Sequence, residues 1–186
     1  MLNNPPIEKE IVERCRDGSL HDFRKLVEQI SPYAFSVAFR ILGDYEDAKD
    51  IVQETMITLW KTIKKIKSTE SFMTWLYRIV VNKCYDKLRK RKRNPEFNAD
   101  ERTWDLISNT VSENPGAMIE NKEIAQMINI LTEKLSPKQK AVFVLSELED
   151  LSNEEISDIT GMSKANIKAN LHYARKRIGE MIEKHM

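Results

Sequence analysis

Residues 151–177 read LSNEEISDITGMSKANIKANLHYARKR, and the reading of this stretch decides the fold class. Ser152 followed three residues later by Glu155 is a capping box, which satisfies N–H groups that a helix start would otherwise leave orphaned. A short helix therefore opens at residue 152. Gly161 supplies the left-handed residue that ends it, and Ser163 caps a second, longer helix. That second helix carries Lys164, Lys168, Arg175, Lys176 and Arg177, with no acidic residue up to position 177. Ile156, Ile159, Met162, Ile167 and Leu171 are spaced to form a shared core between the two helices. The pattern is a helix-turn-helix, whose tight turn lets the second helix place its N-terminal half in the DNA major groove. Small or polar side chains are needed there to reach base edges, and Lys164, Asn166, Lys168 and Asn170 meet that need. The alternative is an ordinary helical hairpin with a solvated basic face; charge of one sign and a glycine at the turn favour DNA binding.

Upstream, Ser136-Pro137 is a cap followed by proline at the first helical position, where the missing N–H costs nothing. Apolar residues at Ile124, Met127, Ile128 and Leu131 recur at helical spacing, so the C-terminal part reads as four helices. Residues 94–120 have no sustained period and contain Asn94-Pro95 and Asn114-Pro115-Gly116. A structureless run of that length is unusual inside one compact domain and reads as a linker. From Ile7 to Arg93 helical spacing returns, with Gly18-Ser19 dividing a first helix from a second. Ser31-Pro32 predicts the start of a third helix ending near Leu42. Gly43 and Asp44 stop that helix and cap a fourth, which runs to about Lys65 on a stripe of Ala48, Ile51, Val52, Thr55, Leu59 and Ile63. Ser71 caps a fifth helix through Phe72, Leu76, Ile79, Val80 and Leu88. The reading is all-α: two small helical domains, residues 1–94 and 121–186, joined by an acidic flexible linker at 95–120.

Composition agrees, with 32% charged and 41% hydrophobic residues and only five glycines and six prolines in 186 residues, a balance suited to a helix-rich chain. Net charge is +1, but it is unevenly spread: +6 over residues 1–93, −5 over 94–120 and zero over 121–186. Cys15 and Cys84 belong to no CxxC pair, so neither a disulfide framework nor a zinc site is expected. No stretch approaches the ~20 apolar residues that cross a bilayer, and Met1–Pro6 lacks a secretory pattern, so a cytoplasmic protein is expected. No nucleophile stands beside a base, no glycine-rich phosphate loop occurs, and His21, His172 and His185 are scattered. No enzyme, cofactor or metal is expected.

Six of the seven residues 87–93 (KLRKRKR) are cationic, namely Lys87, Arg89, Lys90, Arg91, Lys92 and Arg93, enough to engage several phosphates by counterion release. On the same helix lie Trp75, Tyr77, Arg78, Asn82, Lys83 and Asp86. Rings and hydrogen-bonding groups beside phosphate-binding charge suit opened DNA, where bases stack or enter pockets. Trp75 and Tyr77 read equally well as core residues. The preceding helix carries Asp47, Asp50, Gln53 and Glu54 away from its apolar stripe. Acidic residues near a helix start are favoured by the helix dipole, and they are equally a docking surface for a basic partner.

Asp47–Glu54 (DAKDIVQE), then Phe72–Ile79 (FMTWLYRI) with Asn82, resemble the second conserved domain of extracytoplasmic-function sigma factors, within the sigma-70 superfamily. Leu135–Lys140 (LSPKQK), Leu151–Ile156 (LSNEEI) and Leu171–Arg175 (LHYAR) are similar to their fourth domain. The resemblance covers nearly the whole chain, with both blocks in order. It implies that Asp47, Asp50, Gln53 and Glu54 dock on the clamp helices of the largest subunit of core RNA polymerase. It also implies that the helix from Trp75 to Arg93 opens and reads the minus-ten promoter element, with Asn82 near a flipped base. The last helix would read the minus-thirty-five element of promoter DNA through Lys164, Asn166, Lys168, Ala169, His172 and Tyr173, flanked by Ser163, Asn170 and Lys176. Many members have arginine at the positions of Asn170 and Tyr173, so fewer phosphate or guanine contacts are expected. Family habit further implies an anti-sigma partner and a monomer when free.

Overall fold

The protein is described here by a computed structural model that covers residues 7–66, 71–93, 127–128 and 130–185. Among these residues all regular structure is helical. The predicted linker and Ile124 lie outside them. In order come α1 (Lys9–Arg16), α2 (Leu20–Leu42), α3 (Tyr45–Thr62) with a 3-10 turn at Ile63–Lys65, and α4 (Phe72–Arg93). The C-terminal half contains helical residues at 127–128 and 130–132, then α5 (Pro137–Phe143), a π-turn (Val144–Leu148), α6 (Asn153–Thr160) and α7 (Lys164–His185).

Local chemistry explains most boundaries. Ser19 accepts from the backbone N–H of Asp22 at 3.3 Å and caps α2, which ends at Gly43 with φ +69°. The Asp44 carboxylate accepts from the Asp47 N–H at 2.8 Å and caps α3. Ser136 with Gln139, and Ser152 with Glu155, form complete capping boxes at α5 and α6. Ser163 receives the N–H of Asn166 at 3.3 Å at the start of α7.

One expected boundary is absent. Ser31-Pro32 does not begin a helix, because α2 runs unbroken from Leu20 to Leu42 with Pro32 inside it. Leu26 and Ile30 before the proline, and Ala34, Val37, Ala38, Ile41 and Leu42 after it, are fully buried along one continuous face. Burial of that face outweighs the ~3 kcal/mol that an interior proline costs a helix. The Ser31 hydroxyl, predicted as a cap, instead donates back to the carbonyl of Val27 at 2.7 Å.

The stripe expected on α3 faces inward, with Ala48, Ile51, Thr55, Leu59 and Ile63 buried and Val52 packed beside them. Helices α1 to α4 pack mutually around α2. The two halves are not separate in space: α4 lies along α6 and touches α5, and the buried apolar cluster runs from Ile11 in α1 to Leu171 in α7. A smaller cluster, Leu135, Ala174 and Ile178 with Leu131 and Phe143 against it, fastens α7 to the start of its own half.

Candidate nucleic-acid interface

The helix-turn-helix is built as its sequence predicts. Gly161 stands at φ +70° and ends α6, its N–H bonded to the carbonyl of Ser157. The Ser157 hydroxyl donates to the Met162 carbonyl at 2.8 Å and ties the turn down. Ile156, Ile159, Met162, Ile167 and Leu171 are all buried and form the spine between α6 and α7. With that spine inward, Ser163, Lys164, Asn166, Lys168, Ala169, His172, Tyr173 and Lys176 are exposed. Asn170 is half-buried, its amide donating to the carbonyl and side-chain oxygen of Asn166 at 2.8 and 3.0 Å. Lys164 is paired with Glu154, a surface contact that competing phosphate can displace.

A cleft of about 420 Å³ opens between the entrance of α6 and the flank of α7, lined by Ser146, Leu151, Ser152, Asn153, Lys168, Leu171, His172 and Arg175. Asn153 and Arg175 were not singled out in the sequence as site residues. Positions 168, 172 and 175 share one helical face, and that spacing is the signal by which Arg175 could have been found. In the cleft Arg175 pairs with Glu147 at 2.8 Å.

On α4 the structure sorts the predicted residues into two rows. Arg78, Asn82, Asp86, Arg89 and Lys90 are exposed and make one stripe. Lys83, Lys87 and Arg91 turn toward α3 instead. Lys83 pairs with Glu54 at 2.9 Å, Lys87 pairs with Asp47 at 2.7 Å, and Arg91 binds both Asp47 and, at 3.0 Å, the carbonyl of Leu42. Tyr77 is buried and Trp75 is packed against the core, so both behave as core residues here. The side chains of Lys92 and Arg93 lie outside the described residues.

The acidic row of α3 is divided in the same way. Asp50, Gln53 and Glu54 are exposed on one face, joined by Ile57, whose 56% exposure is unusual for an isoleucine and which no sequence signal marks as a surface residue. Asp47 is half-buried. Burial pushes its pKa up, but the hydrogen bonds and charges of Lys87 and Arg91 outweigh that and hold the carboxyl below its ordinary range. Asp47 is thus a bolt between α3 and α4. Among the described residues no cluster of three or more His, Cys, Asp or Glu is placed to hold a metal, and no helix is long and apolar enough to cross a membrane. Cys15 and Cys84 are both buried free thiols.

Comparison with known proteins fits this geometry. Residues 26–94 match the family model of sigma-70 region 2, and residues 131–178 match that of sigma-70 region 4. The chain is similar to the extracytoplasmic-function (ECF) RNA polymerase sigma factor SigW of Bacillus subtilis, with 26% identity over 94% of this chain and 96% of that one. It is also similar to SigE of Mycolicibacterium smegmatis, 27% identical over 90% of this chain and 64% of that one. Among solved structures it resembles CnrH in complex with the cytosolic domain of CnrY, with TM-score 0.67, 20% identity and coverage of 96% of this chain and 98% of that one. A second likeness is RpoE in complex with the anti-sigma factor NepR from Bartonella quintana, with TM-score 0.63, 22% identity and coverage of 88% and 98%.

Proposed function

Because this chain belongs to the extracytoplasmic-function sigma factors of the sigma-70 superfamily, we propose how its residues divide the work of binding core RNA polymerase, recognising the two promoter elements and initiating transcription. Residues 1–94 act as the domain for polymerase and the minus-ten element, 95–120 as the tether, and 121–186 as the domain for the minus-thirty-five element. Asp50, Gln53 and Glu54 dock on the polymerase, while Asp47 keeps their helix in register with α4. The row Arg78, Asn82, Asp86, Arg89 and Lys90 follows the opened minus-ten strand, with Asn82 at the flipped base. Lys164, Asn166, Lys168, Ala169, His172 and Tyr173 enter the major groove of the minus-thirty-five element, and Lys176 lies on the backbone.

The observation that carries this reading is on α7, where the apolar spine is buried and every residue assigned to base reading is exposed. The protein acts in the cytoplasm by binding and supplies no catalytic group. It is a monomer when free. The solved likenesses were captured with the cytosolic domain of CnrY and with the anti-sigma factor NepR, which supports an anti-sigma protein as a further partner of this chain.

The test is gel filtration of the chain with and without bacterial core polymerase, followed by transcription from a pool of promoter fragments. Co-elution with new start sites is the expected result. A free dimer that ignores polymerase yet binds duplex operators would replace the proposal with an ordinary DNA-binding regulator.

A further inference from the structure

Asn166 and Asn170 stand one turn apart on α7 and form a short side-chain ladder along its surface. The side-chain NH2 of Asn170 donates to the backbone carbonyl of Asn166 at 2.8 Å and to its side-chain oxygen at 3.0 Å. The backbone of Asn166 is held at its other end as well, its N–H bonded to the hydroxyl of Ser163 at 3.3 Å. Asn166 is exposed, whereas Asn170 is half-buried behind it.

Hydrogen-bond chemistry leaves this ladder one polarity. A backbone carbonyl can only accept, so the Asn170 group that meets it is the NH2. That NH2 in turn needs an acceptor, so the Asn166 atom turned toward it is Oδ1. The NH2 of Asn166 is then the end that faces an outside partner. An asparagine free to turn reads adenine with both ends, its oxygen accepting from N6 while its NH2 donates to N7. Asn166 has its oxygen turned back along the helix, so it meets a base edge as a donor. Guanine presents two acceptors there, O6 and N7, and thymine presents O4. Adenine would keep an N6 donor without a partner, which costs free energy wherever water is excluded.

We propose that Asn170 is a positioning residue that sets base specificity: it holds the Asn166 carboxamide with its donor outward, so that α7 selects guanine over adenine at the base pair under Asn166. The inference rests on the assignment of α7 to the major groove; the ladder itself does not. Asn170 acts through Asn166 and needs no contact with DNA of its own. Because the Asn166 amide is already fixed in the free chain, little of its rotamer freedom remains to be lost on binding.

The experiment uses the full chain with core polymerase, bound to promoter fragments that carry each of the four base pairs at every minus-thirty-five position. Asn166→Ala locates the base pair it reads, as the position where preference is relaxed. At that pair the wild-type chain should prefer guanine to adenine, and Asn170→Ala, which frees the Asn166 amide to turn, should lower the ratio about tenfold. Asn170→Asp should go further. Its carboxylate repels Oδ1 and accepts from the NH2, so the Asn166 amide reverses, presents its oxygen, and the amino-bearing bases adenine and cytosine overtake guanine. The added negative charge weakens all sequences alike, so the ratio still reports the reversal. In the free chain, nuclear magnetic resonance should show Asn170 side-chain amide protons that exchange slowly and shift in Asn166→Ala, and far-UV circular dichroism verifies that each variant is folded. An unchanged ratio in both folded Asn170 variants overturns the proposal, as does a loss in Asn166→Ala that is uniform across bases, the mark of a phosphate contact. If the ladder signals are present but no minus-thirty-five sequence is preferred, the groove assignment fails and the specificity claim falls with it. If sequence is read but the signals do not move, the ladder alone fails.

Discussion

Asp47 and Asp50 are one turn apart on the same helix and have opposite consequences. Asp47 is gripped by Lys87 and Arg91, whereas Asp50 faces solvent. Asp47→Asn should destabilise the protein by ~1.5–3 kcal/mol, the range for hydrogen bonds to a charged group, and lower the thermal midpoint. Because the Asp47 pKa is lowered in the folded state, its contribution is present above the ordinary carboxylate range and is lost as pH falls through the folded value. The acid limb of a stability profile should therefore soften in Asp47→Asn. Asp50→Asn should change stability by less than ~0.5 kcal/mol while weakening competition for core polymerase against a second sigma factor. Equal loss of stability in both variants would remove the distinction. On α7, Lys168→Ala should cost ~1–3 kcal/mol of promoter binding and relax specificity at one base pair if the ammonium reads a base. A uniform loss across sequences, measured on a mutated-promoter series, would make it a phosphate contact.

The helix-turn-helix is also an element whose geometry depends on two local devices. Gly161 at φ +70° has nothing within 4 Å of where a Cβ would stand, so Gly161→Ala meets no clash. It should still cost ~1–2 kcal/mol, because an L-residue is strained in the left-handed region. Ser152→Ala removes the cap of α6 and should cost ~1 kcal/mol. Chemical denaturation measures both, and their sum should be additive only if the turn and the cap act independently. These elements were legible in the sequence because capping boxes, turn glycines and apolar spacing act over a few residues. The continuity of α2 through Pro32 is invisible in the sequence for the converse reason. Its continuity comes from Leu26, Ile30, Ala34 and Val37 packing on other helices, and no local signal records that packing.

Across the whole molecule the contact between the two halves buries charge. Lys140 on α5 is 4% exposed and lies among Cys84 and Arg91 of α4 and Glu133 of its own half. Burial above all, with the charge of Arg91, pushes its pKa down to about 7, against a smaller opposing pull from Glu133 and Cys84. The unfolded chain then holds more protons than the folded one between pH about 7 and the ordinary lysine value, so stability should rise with pH across that window. In Lys140→Met, which keeps the length of the stem, the rise should disappear in denaturation curves from pH 7 to 10. Glu149 has the opposite leaning: burial raises its pKa, with Arg40 opposing, so its contribution is largest at low pH and declines as pH rises through the folded value. A wild-type profile that stays flat from pH 7 to 10 would place Lys140 in water and argue against the packed interface.

What the sequence by itself determined was local and periodic: the helical class, the caps at Asp44, Ser136 and Ser152, the turn at Gly161 and the outward face of α7. Each depends on hydrogen bonds and burial patterns that repeat within a few residues. Only the tertiary structure decided which charges are at liberty to bind a partner. The basic run of α4 divides into Arg89 and Lys90, which face solvent, and Lys87 and Arg91, which are held by Asp47. It also decided that Arg40 meets Glu149 across 109 residues of chain. The reason is physical: a charged side chain has the same local spacing whether water or a partner satisfies it, and that choice is made by residues distant in sequence that fold against it.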